Sequence, residues 1–273
     1  MLQRRRCRVA QLSEEAQQFQ GWPVQGGPPP KGSIAWVVGV GAMQGTGASL
    51  ARRLAEGGMH VLATGRTEAK VTAVVDDIVA RGGTATAVVA DAGSEEGMAP
   101  ALAKLDELGP PTVAIYNAGG SQWRSSILEM DADFWESVWR TNCFGSFLMA
   151  REAAKRMLGR GGAIMFTGSI SGKLSRPKLA AYSSAKFGQR ALAQALAKEL
   201  GPQNIHVANI IPHGPIDGDR LNSAFPHAKD ARPTDGMIDP DQIAETFWAV
   251  MNQPRLAWTL EMDIRPYCEP ILL

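Results

Sequence analysis

The feature that most constrains this chain is a single junction near its start. The β-branched and apolar run Ile34–Val38 stops abruptly in Gly39-Val40-Gly41-Ala42-Met43-Gln44-Gly45-Thr46-Gly47, and helical spacing follows over Ala48–Glu56. A buried strand, a turn too crowded for side chains and a helix packed straight back on the strand make up the first half of a βαβ unit. Such a unit commits a chain to a parallel sheet covered by helices on both faces.

The pattern then repeats. Strands are expected at Met59–Thr64, Thr84–Ala90, Thr112–Tyr116, Ala163–Thr167, His206–Ile210 and near Trp258–Asp263. Between them fall helices at Glu68–Arg81, near Ser94–Leu108, about Asp133–Leu158, Lys178–Leu200 and near Pro240–Asn252. Gly57-Gly58 and Gly82-Gly83 stop the first two helices, and Pro110-Pro111 marks the turn into the fourth strand. Seven strands alternating with six helices, joined by right-handed crossovers, give an α/β, doubly wound (Rossmann-like) parallel sheet. Residues 33–273 show no composition shift or repeat and read as a single dinucleotide-binding catalytic domain.

Residues 1–32 differ. Arg4, Arg5, Arg6 and Arg8 precede a polar stretch and Gly26-Gly27-Pro28-Pro29-Pro30, which reads as a disordered arm ending in an extended linker. The arginines also suit an organelle transit peptide, against which Glu14 and Glu15 stand. The expected location is therefore cytoplasmic, with an organelle as the alternative. A formal net charge of +1 in 273 residues points to neither nucleic acid nor a membrane as partner. Cys7, Cys143 and Cys268 have the spacing of neither a disulfide framework nor a metal site.

The glycine turn is the expected seat of a dinucleotide. Gly41, Gly45, Thr46 and Gly47 would let backbone N–H groups and the positive end of the first helix approach a pyrophosphate. The end of the second strand distinguishes the two dinucleotides. An NAD site usually carries an acid there for the ribose 2′-hydroxyl, whereas this chain has Thr64-Gly65-Arg66. Arg66 offers a forked cation suited to a 2′-phosphate, so NADP(H) is preferred over NAD(H). Asp91, after the third strand, is placed either to accept from the adenine amino group or to cap the next helix, where Ser94 competes. Asn117-Ala118-Gly119 ends the fourth strand, its small residues leaving room for the cofactor and its amide able to brace neighbouring strands.

Tyr182 and Lys186 lie four apart at the start of a helix and so share a face. A free tyrosine titrates at about pH 10, and a nearby ammonium favours the phenolate, bringing the group towards neutral acid/base work. Ser169, just past the preceding strand, could polarise a substrate oxygen.

Taken together, Gly41-x-x-x-Gly45-x-Gly47, Asn117-Ala118-Gly119, Asn142, Ser169 and Tyr182-Ser183-Ser184-Ala185-Lys186 resemble the short-chain dehydrogenase/reductase family over about residues 33–265. The resemblance implies an enzyme interconverting a small-molecule carbonyl and an alcohol by direct hydride transfer. Tyr182 would be the acid/base, and Lys186 would hold the nicotinamide ribose and depress the tyrosine. Ser169 would orient the carbonyl, and Asn142 would position a relay water. It also implies a homodimer or homotetramer built on the long helices. A non-catalytic NADP-binding regulator and an epimerase or dehydratase using the same tyrosine are the competing readings.

Three departures stand out. Val40 replaces a threonine before the first loop glycine, and His213-Gly214-Pro215-Ile216-Asp217-Gly218 replaces the usual Pro-Gly-x-Val-x-Thr. Gly214 and Ile216 can still offer backbone to a carboxamide, but Gly218 lacks the threonine hydroxyl. The C-terminal Trp258–Pro266 segment lacks the frequent Asp-Gly-Gly ending. His213 and His227 read as hydrogen-bonded or solvated loop residues, Trp135 and Trp139 as packing residues, and Trp123 as a candidate lining of the substrate mouth. The polar stretch Leu221–Met237 reads as a mobile lid.

Overall fold

The structure is a computed structural model that describes residues 22–119 and 125–270. Trp123 and the arginines of the arm lie outside the described residues.

Seven strands form one parallel sheet in the order β3-β2-β1-β4-β5-β6-β7. They are β1 Ile34–Val38, β2 His60–Gly65, β3 Thr84–Val89, β4 Pro111–Tyr116, β5 Gly162–Thr167, β6 Ile205–Pro212 and β7 Glu261–Ile264. The helices are α1 Thr46–Glu56, α2 Glu68–Ala80, α3 Glu95–Leu108, α4 Ala132–Trp139, α5 Gly145–Met157, α6 Ala180–Leu200, α7 Asp219–Ala224 and α8 Pro240–Met251. Strand alternation divides the core into two layers. Ala35 and Val37 of β1 face α1, α2 and α8, whereas Trp36 and Val38 face α3, α5 and α6. The central strands are therefore apolar on both sides and read as continuous hydrophobic runs, whereas the edge strand β7 carries Glu261 and Asp263.

The strand order reverses at β1, whose neighbours are β2 and β4. In such sheets the crevice for a ligand opens outside the carboxyl ends of the strands at this point. The glycine turn after β1 and Asn117 after β4 both stand there.

The long helix expected over Asp133–Leu158 departs from regularity in its middle. Arg140–Phe144 is a π-helical turn between α4 and α5. Two side chains compete for its backbone carbonyls: Tyr116 Oη donates to Thr141 O at 2.5 Å, and Asn142 Nδ2 donates to Val138 O at 2.9 Å. A side chain inserted into the helical ladder is a standard cause of such a bulge. No period in the sequence carries it, because Tyr116 comes from β4.

The segment expected to be a mobile lid contains the end of α7 and is pinched at its base. Asp217 N donates to Ile238 O and Ile238 N to Pro215 O, so both ends of the excursion are tied together. Residues 22–32, read from sequence as the end of the arm, lie on the domain. Gly27 N donates to Asn252 O at 2.8 Å, Gly32 N to Gly58 O at 2.7 Å, and Trp22 packs against the α1/α8 layer.

Candidate active site

The glycine turn is shaped by steric necessity. Gly39 has φ +101°, and a Cβ there would lie 2.3 Å from Ala118 N; one at Gly47 would lie 2.2 Å from Gly39 O. These two glycines bring β1, α1 and the end of β4 into contact. Gly41 faces open space instead, with no heavy atom within 4 Å of a Cβ placed there. Gly45 caps α1, so the N–H groups of the Thr46-Gly47 turn have no intrahelical acceptor and are free to meet an anion. A cradle closed behind and open in front fits a pyrophosphate.

Gly65 is glycine because nothing else fits. A Cβ would lie 2.1 Å from Val40 O and 2.7 Å from Val71 Cγ2. The acid missing from this position is thus excluded by packing, and the next side chain, Arg66, is exposed at the carboxyl end of β2. Asp91 is exposed beyond β3, its Oδ1 accepting from Gly93 N at 2.9 Å. The cap of α3 is Ser94, which accepts from Gly97 N at 3.0 Å. Of the two roles considered for Asp91, capping is therefore taken by Ser94.

Asn117 ties three strands. Its Nδ2 donates to Gly39 O at 3.0 Å and its Oδ1 accepts from Thr167 Oγ1 at 2.9 Å. Ala118 and Gly119 follow it into the crevice, and Arg220 of α7 donates to Gly119 O at 3.3 Å. Beyond β6, Gly214 has φ +117° and lies against Glu269 and Pro266, and Ile216 is held in a bridge to Ile238. Gly218 has a reason of its own: a Cβ would sit 2.6 Å from Gln44 O. There α7 is pressed onto the glycine turn, with Asp219 N donating to Gln44 O and Gln44 N to Asp219 Oδ2.

Asn142, Ser169, Tyr182 and Lys186 come from three places in the fold. Asn142 is 0% exposed in the π turn, with Oδ1 lacking any hydrogen-bond partner and pointing towards Gly119. Ser169 follows β5 and accepts from Ser171 N at 3.2 Å. Tyr182 and Lys186 are buried on the first turns of α6, and Lys186 Nζ stands 5.9 Å from the centre of the Tyr182 ring.

Lys186 Nζ donates to Thr167 O at 2.9 Å and to Gln189 Oε1 at 3.0 Å. Burial brings its pKa down from 10.5 to about 7; the thiol of Cys143 opposes the shift and the guanidinium of Arg220 adds to it. Burial likewise pushes the Cys143 thiol up, while Lys186 pulls it down. The cation that sequence spacing placed beside the tyrosine therefore itself titrates near neutral pH.

Sequence reasoning missed Thr167, Gln189, Asp219 and Arg220. A signal existed only for Gln189, a polar residue one turn beyond Lys186 on a face that is otherwise apolar or catalytic. Among the described residues no group of His, Cys, Asp and Glu could hold a metal ion. No helix among them is long and apolar enough to cross a membrane.

A parallel sheet with a glycine cradle at its switch point and a serine, tyrosine and lysine beside it defines a dinucleotide-dependent oxidoreductase fold. The sequence profile of the short chain dehydrogenase family matches residues 35–228. The chain belongs to the short-chain dehydrogenase/reductase family, whose members are oxidoreductases that bind NAD(P). A short-chain dehydrogenase/reductase of Armillaria gallica is 34% identical over 191 residues, 68% of this chain and 72% of the relative. The 2,3-dihydro-2,3-dihydroxybenzoate dehydrogenase of Bacillus subtilis is 31% identical over 191 residues, 69% and 72% of the two chains. Among solved structures, a short-chain dehydrogenase from Rhodopseudomonas palustris superposes with TM-score 0.74 at 34% identity, covering 87% of this chain and all of its own. A metagenomic short-chain oxidoreductase in complex with NADP gives 0.74 at 26% identity, with 86% and 98% covered.

Proposed function

We propose that this protein is an NADP(H)-dependent oxidoreductase that interconverts a carbonyl and a primary or secondary alcohol, with Tyr182 as the acid/base. The observation that carries the reading is the placement of the Lys186 amine, 5.9 Å from the Tyr182 ring and bonded to Thr167 O two residues before Ser169, in a sheet whose glycine turn is open at Gly41. Arg66 standing alone at the end of β2 supports the preference for a 2′-phosphate, and so does the NADP held by the metagenomic relative.

Gly41, Gly45, Thr46 and Gly47 would hold the pyrophosphate, Arg66 the 2′-phosphate and Asp91 the adenine amino group. Asn117, Ala118 and Gly119 would line the ribose side, and Gly214 and Ile216 would meet the carboxamide. A bound nicotinamide supplies or accepts the hydride. The protein has to move one proton. In reduction, Ser169 Oγ donates to the carbonyl oxygen, and Tyr182 Oη delivers its proton to that oxygen as the carbon accepts hydride. Lys186, held against Thr167 O, stabilises the phenolate that remains. Asn142 Oδ1, buried and unsatisfied, is suited to accept from a water that relays a proton by way of Lys186 back to the Tyr182 phenolate. Oxidation of the alcohol runs the same transfers backwards.

The free thiols of Cys143 and Cys268 agree with a cytoplasmic enzyme. Exposed Trp139, Phe147 and Phe187 on α4–α6 support a homodimer or homotetramer built on those helices.

The test is oxidation of NADPH and NADH against a panel of ketones and aldehydes. Tyr182→Phe should lower turnover by about 10³-fold while NADPH binding, read by fluorescence, persists. Arg66→Ala should weaken NADPH by roughly 10-fold or more and leave NADH nearly unchanged. Equal losses for both dinucleotides would sink the cofactor preference. NADPH binding with wild type and Tyr182→Phe equally inert would favour the regulator.

A further inference from the structure

Gln189 is 1% exposed, and its Nε2 is buried without a hydrogen-bond partner. Leaving such a donor unmet destabilises the fold, whereas an apolar side chain of similar size would fill the position without that penalty. Its oxygen is what the structure uses. Oε1 accepts from Lys186 Nζ at 3.0 Å, and Nζ donates also to Thr167 O at 2.9 Å. A lysine ammonium has three donors. These two contacts leave one for whatever enters the crevice.

We propose that Gln189 is a positioning residue for the reaction: its amide oxygen fixes the Lys186 amine against Thr167 O and favours the protonated form of that buried amine. The proposal rests on the catalytic reading of Lys186 given above. Thr167 links the same point to the cofactor side, since its hydroxyl donates to Asn117 Oδ1, and Asn117 in turn holds Gly39 O. Gln189 thus sits at the end of a hydrogen-bonded line running from the glycine turn to the catalytic lysine.

Among the described residues, the charged and titratable groups facing Lys186 are few. Tyr182 faces it from its own helix, Cys143 from the π turn and Arg220 from α7. Burial and Arg220 disfavour the ammonium, and the Cys143 thiol works against them. The amide oxygen of Gln189 and the carbonyl of Thr167 are the neutral acceptors that hold the proton in place. Removing one should make the amine lose its proton at lower pH. A carboxylate in its place should do the opposite.

The experiment is a pH titration of Lys186 in the full-length protein by lysine ¹³Cε NMR, with the resonance assigned through Lys186→Arg. It is run on wild type, Gln189→Leu and Gln189→Glu, alongside the pH profile of NADPH-dependent carbonyl reduction. The Lys186 midpoint should fall by about one unit in Gln189→Leu and rise by about one unit in Gln189→Glu, with the alkaline limb of the rate profile moving likewise. A residue that merely fills space would not shift the midpoint in opposite directions. Should the leucine variant fail to fold, Gln189→Met keeps the length without the acceptor and should shift as leucine would. Coincident titrations, or shifts in the same direction, overturn the proposal. Opposite shifts in a protein that reduces no carbonyl uphold the pairing and overturn the assigned reaction instead.

Discussion

Lys186 is a cation placed where water cannot solvate it, and its titration ties the chemistry of the site to the stability of the fold. Its pKa is about 7 in the folded chain against an ordinary 10.5. Between those values the unfolded chain binds more protons than the folded one, so this residue makes stability rise with pH across that window. Below about pH 7 both states are charged and the folded state carries the full desolvation cost. Lys186→Met should therefore unfold at a higher temperature than wild type at pH 7, with the gap narrowing by roughly 1–3 kcal/mol towards pH 10. Thermal melts of both proteins at the two pH values check this, and a gap independent of pH would contradict it. Gly65 shows the same coupling of packing to function from the other side. With Val40 O 2.1 Å from any Cβ, the chain excludes an acid there.

At the scale of elements, the stretch from α4 through α5 does two jobs. Its π turn sets Asn142 into the crevice, and its later turns carry a charge cluster that anchors α5. Glu152 is buried; desolvation raises its pKa, but hydrogen bonds from Lys155, Arg156 and Arg151 outweigh burial and bring it down to about 2. Arg156 reaches on to Asp106 of α3 at 2.7 Å, so the cluster also joins two helices. A depressed carboxylate contributes stability above its unfolded value of 4.5, and that contribution is lost as pH falls towards 2. Glu152→Gln should cost about 1–2 kcal/mol at pH 7 and almost nothing at about pH 1, read by denaturant unfolding. An equal deficit at both pH values would mean that packing, not charge, holds this helix.

At the scale of the molecule, the helices that carry the proposed site also expose large aromatic side chains, Trp139, Phe147 and Phe187. Trp139 stacks on Phe144 at 5.6 Å, and the guanidinium of Arg151 lies 5.2 Å from the Phe147 ring. The π turn and α6, which bears exposed Phe187, pack against each other. If this face is the subunit contact, light scattering should find at least twice the chain mass in wild type, and Phe147→Asp with Phe187→Asp should return it to one chain. A wild type that already runs as a single chain would remove that reading.

What the sequence determined by itself was everything carried by short-range periodicity. The seven strands, the glycine turn and the shared face of Tyr182 and Lys186 depend on residues within a few positions of one another, and each was legible. Boundaries moved by a few residues, as at β6, expected over His206–Ile210 and found over Ile205–Pro212. What only the tertiary structure decided were the contacts between distant segments. Tyr116 of β4 breaks the ladder of a helix that reads as regular. Asp219 settles on the Gln44 backbone, and Val40 bars a side chain at Gly65. Thr167, from the strand before the helix, combines with Gln189 to fix the Lys186 amine. A pattern along the chain says which face a side chain takes. Which atom it meets, and whether water reaches it, depends on where the sheet brings the other strands.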